Sequence, residues 1–197
     1  MPFGTIAASG WASGLNLYGT ALLLGLAGRF GWADTPEQLQ RPWVLAVLGV
    51  LYVLEFVVDK VPWLDTAWDG VHTVVRPLGG ALLGGLLAHE SGDPEVLAAL
   101  LAGGFSLSAH AAKASTRAAV NTSPEPVSNV ALSVAEDGIV AVMVALALAY
   151  PLVAGVVAVV LAITSLAVAW VLVRFVRRMR ARWRERRTAR RGGVLGG

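Results

Sequence analysis

Residues 55 to 77 read EFVVDKVPWLDTAWDGVHTVVRP. Seven ionisable side chains, Glu55, Asp59, Lys60, Asp65, Asp69, His72 and Arg76, stand here between two long apolar runs. Whether the segment is a wet loop or charge held at membrane depth decides how the chain folds.

The surrounding composition favours the membrane. The chain has 197 residues, of which 56% are hydrophobic and only 15% charged, with a mean hydropathy of +0.65. A soluble domain of this length needs more polar surface than that. The apolar residues fall into runs long enough to cross a hydrocarbon layer of roughly 30 Å. The expectation is an all-α integral membrane protein. There are no cysteines, which excludes disulfides, thiolate metal sites and cysteine catalysis. The start, MPFGTIAASGWASG, has no basic leader before its apolar run, so no cleaved signal peptide is expected.

The formal charge of +3 hides an asymmetry. From Arg174 onward there are ten Arg and one acid, Glu185; the remainder has six Lys or Arg against twelve Asp or Glu, a net of −6. A basic chain raises the question of nucleic acid. Here the basic run follows directly on an apolar helix, which fits a cytoplasmic tail, Arg174–Arg191, lying on anionic lipid headgroups. No nucleic-acid partner is expected. Fourteen Arg to two Lys suits a bacterial origin, and so a bacterial inner membrane.

About six spans can be drawn: Ile6 to Ala27, Pro42 to Val58, Thr66 to Leu87, Glu95 to Val120, Asn129 to Tyr150 and Pro151 to Val173. Residues 1–173 then form one polytopic domain. Residues 174–197 are a tail expected to extend the last helix and then lose order. Lys and Arg near a helix end hold it in the cytoplasm, which puts both termini there. Gly10-x-x-x-Gly14 and Gly80-x-x-x-Gly84 permit close helix contacts, and a homo-oligomer is left open. Breaks at Pro62 and at Pro124 and Pro126 sit at corresponding places in two three-span halves. Two inverted three-helix repeats, with re-entrant breaks, are therefore an alternative to ordinary proline loops.

Placed on helices, the charges form stripes. Asp65, Asp69, His72 and Arg76 are spaced four, three and four apart, which is one face. Ser106, His110, Lys113 and Arg117 repeat the spacing; Asn129, Ser133 and Glu136 or Asp137 do so again. Glu55 and Asp59 end the second span, and Asn16 accompanies Ser9 and Ser13 in the first. On insertion scales each ionisable group costs about 2.5–3.5 kcal/mol at mid-membrane when unpaired, so six of them facing lipid would cost roughly 15 kcal/mol. They must pair, line water or sit at the interface.

The plain alternative is an interfacial loop. Asp65 and Asn129 stand where helix N-caps belong, and Asp59, Lys60 and Arg117 could snorkel to headgroup water. That reading fails at Arg76, His110, Glu136 and Asp137, which lie two or more turns inside their spans. The expected pathway residues are therefore Asn16, Glu55, Asp59, Asp69, His72, Arg76, His110, Lys113, Glu136 and Asp137. His89, beside Glu90 and Asp93, reads as a solvated loop residue. The Trp residues, among them Trp32, Trp43, Trp63 and Trp170, fit an aromatic belt.

Three stretches carry a resemblance. SGLNLYGT (13–20), EFVVDKVPWLDTAWDGVHTVVRPLGGAL (55–82) and KASTRAAVNTSPEPVSN (113–129) with EDG (136–138) are similar to an uncharacterised bacterial membrane family. It is catalogued as domain of unknown function four-one-two-six. The resemblance covers most of residues 6–170 and leaves the Arg-rich tail outside. It implies a multi-span inner-membrane protein and supplies no activity.

The chemistry has to supply the function. The first expectation is a small transporter or channel for a solute or ion, coupled to protons or a cation, because carboxylates beside His and Lys can exchange protonation for binding. The alternative is a non-catalytic membrane scaffold or subunit. A metal-dependent lipid-modifying enzyme comes last. Asp65-x-x-x-Asp69-Gly70 faintly resembles the aspartate motif of CDP-alcohol phosphotransferases, but its spacing is one residue too long and the downstream Asp pair is missing. Asp65, Asp69 and His72 are the candidate metal ligands. No catalytic residue and no cofactor is assigned, and an enzyme is not the expectation.

Overall fold

The computed structural model describes residues 3–61, 63–121 and 126–194, with side chains for all but 126 and 180–194. The expected break at Pro62 and residues 122–125, with Pro124, lie outside the described residues, as do the tail's Arg side chains from Arg180 onward. Among the described residues eight helices follow in order: α1 Phe3–Leu15, α2 Leu17–Arg29, α3 Glu37–Gln40, α4 Pro42–Val58, α5 Leu64–Ser91, α6 Glu95–Val120, α7 Pro126–Ala149 and α8 Pro151–Val194. No strand occurs among the described residues. Proline opens α4, α7 and α8, where its missing N–H removes nothing the helix would use.

Among the described residues four helices are long and apolar enough to cross a membrane: Leu64–Ser91, Glu95–Val120, Val127–Ala149 and Pro151–Met179. Pro42–Val58 is apolar but shorter, at 17 residues. The fold is that of a multi-pass membrane protein. Its outer surface agrees, since Leu152, Val156, Val160, Ile163, Leu166 and Trp170 along α8 are all exposed. Such a stripe suits lipid, where apolar surface carries no penalty.

The first expected span, Ile6 to Ala27, departs from expectation. It is two helices that part at Asn16, whose φ of −147° and ψ of 102° are extended. The Asn16 side chain accepts a hydrogen bond from the Gly19 N–H at 2.7 Å. In an unbroken helix that N–H would close on the Leu15 carbonyl, four residues back. Asn is among the strongest N-capping residues for this reason. The apolar run continues across the break, so hydropathy alone does not register it.

Helix α1 is the centre of the bundle. Every residue from Gly4 to Leu15 is buried, with α5, α6, α7 and α8 around it. Small residues make this possible. A Cβ on Gly10 would strike Ala102, and one on Gly14 would strike the Ser106 carbonyl. On α5, Gly80 meets Ser106 and Gly84 meets Ala102. Both Gly-x-x-x-Gly motifs thus seat their helices on the same ridge of α6. Polar ties complete the packing: Thr5 Oγ1 donates to the Ala147 carbonyl at 3.1 Å, and Trp11 Nε1 to Ser165 Oγ at 3.2 Å. Trp11 is therefore a core residue, unlike the exposed Trp32, Trp43, Trp63 and Trp170.

Candidate functional site: a buried charge network at a broken helix

The stripes on α4, α5, α6 and α7 face one another. Arg76 on α5 is completely buried, and its guanidinium donates to Glu55 on α4 and, at 3.1 Å, to Asp69 two turns earlier on α5. Lys113 on α6 lies 2.6 Å from Asp59, 3.2 Å from Glu136 on α7 and 3.8 Å from Glu55. Arg117 donates to Glu136 at 2.8 Å and to the Asp59 carbonyl at 2.6 Å, and stands 3.6 Å from Asp65. Removing one member of such a buried pair typically costs 3–5 kcal/mol, because the other is left charged and dry.

The helix break belongs to this network. Parting α1 from α2 frees the last carbonyls of α1, which carry the negative end of its dipole. Lys113 Nζ donates to the Leu15 carbonyl at 3.0 Å, and Arg76 reaches the Gly14 carbonyl at 3.5 Å. Asn16 Nδ2 donates to Asp137 Oδ1 on α7 at 3.0 Å. Irregular backbone at membrane depth is tolerated only where protein or water satisfies it, and here two buried cations do so.

The two histidines of the stripes, His72 and His110, have their ring protons fixed by their partners. Arg76 can only donate, so His110 Nδ1 accepts from it at 2.8 Å, and Nε2–H is left to donate to Thr73 Oγ1 at 3.1 Å. Thr73 passes the chain on to the Asp69 carbonyl at 2.9 Å. His72 Nδ1–H donates to the Trp68 carbonyl at 2.9 Å, so its Nε2 accepts from the Tyr18 hydroxyl at 3.1 Å. The His72 ring also stacks on Trp68.

At the end of the network, Asn121 Nδ2 donates to both Asp65 oxygens, at 3.0 and 3.1 Å, and Asn121 Oδ1 accepts from Asn129 Nδ2 at 3.1 Å. The interfacial-loop alternative placed Asp65 and Asn129 as helix caps. Instead both are buried, Asp65 within the first turn of α5 and Asn129 within α7. The same alternative let Arg117 and Asp59 snorkel, yet both are buried. Lys60, in the turn after α4, is half-buried over the Phe56 ring and donates to Ser133 Oγ at 3.3 Å. Burial pushes its ammonium below the usual lysine value. From Asp65 to Arg76 the network climbs about 16 Å along α5, half the hydrocarbon thickness.

Of the expected residues, Asn16, Glu55, Asp59, Asp69, Arg76, His110, Lys113, Glu136 and Asp137 meet in one connected set, with His72 beside it through Tyr18. The candidate metal trio does not converge. Asp65 turns to Asn121 and Arg117, Asp69 to Arg76, and His72 to Tyr18 and Trp68. Among the described residues no three His, Asp or Glu side chains form a metal-binding group. Arg117, Asn121, Tyr18 and Thr73 are members that the pathway reading omitted. Arg117 and Tyr18 had a visible signal, the stripe on α6 and the SGLNLYGT stretch. The freed carbonyls of Gly14 and Leu15 had none.

Six carboxylates (Glu55, Asp59, Asp65, Asp69, Glu136, Asp137) share three buried cations, Arg76, Lys113 and Arg117. Glu55 Oε2, Asp59 Oδ1, Asp69 Oδ2 and Asp137 Oδ2 have no hydrogen-bond partner among the described residues. A surplus of buried negative charge with idle acceptor oxygens is a set that can take up protons or a small cation.

A cleft of about 790 Å³ lies elsewhere, at the far ends of α2 and α5, lined by Gly28, Trp32, Asp34, Glu37, Gln40 and Glu90 among others. It touches none of the network. Nearby, His89 and Glu95 form an exposed pair at 2.8 Å.

No curated protein and no solved structure matches the chain. The family comparison does: the model described as Domain of unknown function (DUF4126) matches residues 4–174, and the chain belongs to that family.

Proposed function

We propose that the protein is a small membrane transporter or channel whose buried charge network couples passage of a solute or ion to protons or a cation. The observation that supports it best is the surplus of carboxylates gathered where a central helix is broken. Discontinuous helices offer dipole ends and free carbonyls at membrane depth, the usual furniture of secondary transport sites. In this reading α1 and α2 together make the first of six passes and α4 the second. The basic end of α8 holds both termini in the cytoplasm of a bacterial inner membrane. The network then opens from mid-membrane toward the cytoplasm, and the acidic cleft lies outside. Six passes also accommodate two three-helix halves of opposite orientation.

Water access tests the reading directly, because the chain has no native cysteine. Thr73→Cys, Ser106→Cys and Ser133→Cys, made singly, should react with a membrane-impermeant thiol reagent. Proteoliposomes should in parallel carry a proton or cation current under an imposed potential. Folded protein that neither reacts nor conducts, but reacts once denatured, would leave the charges as sealed architecture.

One observation supports a scaffold as the second reading. Helix α8 runs for 44 residues, about 66 Å, twice the hydrocarbon thickness. A basic helix standing clear of the bilayer suits anionic headgroups or a partner subunit. Constant co-purification of one membrane partner, with no flux, would favour it.

A further inference from the structure

We propose, building on the transport reading, that Asp137 is the proton-exchange site of the network and that its proton controls the clamp on the broken helix. Five of the six carboxylates lie within 4 Å of a cationic nitrogen: Glu55 and Asp69 at Arg76, Asp59 and Glu136 at Lys113, Asp65 at Arg117. Asp137 has no ion pair among the described residues. Its one side-chain hydrogen bond comes from Asn16 Nδ2, and its Oδ2 is buried with no partner. A proton on any of the other five weakens a buried ion pair. A proton on Asp137 Oδ2 relieves the network's surplus negative charge and breaks none.

The groups facing Asp137 come from three directions. Asn16 meets it from the α1–α2 junction; Tyr52, Asp59 and Lys60 face it from α4 and the turn that follows; Lys113 faces it from α6. Glu136 is its neighbour in sequence. Neither amine is within ion-pair distance, so the Asn16 amide is what holds the carboxylate. That amide belongs to the residue that caps α2 and ends α1.

The two protonation states grip the junction differently. As a carboxylate, Asp137 receives a charge-assisted hydrogen bond, roughly twice as strong as a neutral one, and lies beside the positive end of α2. As an acid it keeps at most a neutral bond and loses the dipole attraction. Proton uptake therefore loosens α7 from the junction, and proton release restores the clamp. The carbonyls of Gly14 and Leu15 move with that junction, which links the proton to Arg76 and Lys113.

The test is infrared spectroscopy of the full chain in lipid bilayers, with aspartate carboxyls labelled with carbon-13 so that Asp is separated from Glu. Titrating the wild type should reveal an aspartic-acid C=O band that appears as the proton binds. Asp137→Asn should lose that band. Asn16→Ala should keep it, with a shifted frequency and midpoint, and this variant carries the test if Asp137→Asn does not fold. A band that titrates unchanged in the variants that fold overturns the proposal, even where flux supports transport. The expected band behaviour in protein without flux upholds the proton site and removes transport instead.

Discussion

The ammonium of Lys113 sits 3.0 Å from the carbonyl of Leu15, the residue at which helix α1 ends. The two are 98 positions apart, and the bond does for Leu15 what Gly19 would have done in a continuous helix. Helix α1 therefore terminates inside the bundle without an orphaned acceptor at Leu15, because α6 supplies the donor.

Removing that donor should be severe. Lys113→Met leaves the Leu15 carbonyl, Asp59 and Glu136 short of a partner, and a loss of about 3–5 kcal/mol is expected. Thermal unfolding in detergent micelles is the measurement. Adding Asp59→Asn should recover part of the loss, since the two side chains share one ion pair at 2.6 Å. Strict additivity of the two substitutions would show that the pair does not act as a unit.

The ridge on α6 can be tested by adding single methyl groups. Gly14→Ala would drive a Cβ into the Ser106 carbonyl, whereas Gly138→Ala meets no neighbouring atom within 4 Å. Helix propensity favours Ala at both by up to about 1 kcal/mol. The expected outcome is a lower melting temperature for Gly14→Ala, with a loss of about 1–3 kcal/mol from overpacking. Gly138→Ala should be neutral or slightly stabilising. Equal behaviour of the two would mean that α1 is not pressed against α6.

Asn16→Ala removes both the cap on α2 and the contact to Asp137. Losing a cap costs about 0.5–2 kcal/mol, and the half-buried Asp137 carboxylate loses its amide as well. Chemical denaturation should show a loss near the upper end of that range. Asn16→Ser, which can still cap, should retain more than half of it. If Ser and Ala behave alike, capping is not what the side chain contributes.

The basic tail should respond to lipid charge. Each Lys or Arg near an anionic surface is worth about 1 kcal/mol, and the attraction is screened by salt. A chain ending at Met179 should lose the extra thermal stability that anionic vesicles give the full chain at low salt. In zwitterionic vesicles the two should melt together. A tail effect that ignores lipid charge would point to a protein partner instead.

Much of this was legible from residue spacing. Glu55 and Asp59, Asp69 and Arg76, His110 and Lys113 fall on common helix faces, and charges that cannot face lipid must face one another. That argument needs only periodicity and a hydration penalty, and nine of the residues it names meet in the network. It left Arg117, Asp65 and Asn129 outside the pathway set, because near helix ends capping and snorkelling are the ordinary outcomes. Their burial depends on the way α4, α5, α6 and α7 converge, which no single stripe encodes.

The sequence by itself determined the class of protein, the apolar helices, the Gly-x-x-x-Gly contacts and the polar stripes, because each follows from composition or from a period of 3.6. Only the tertiary structure decided that α1 breaks at Asn16, which cation serves which carboxylate, and that Asp137 has none among the described residues. Those outcomes rest on competition among donors and acceptors far apart in the chain. Six acids and three buried cations can be paired in many ways, and the packing of α1 and α5 on α6 selects one.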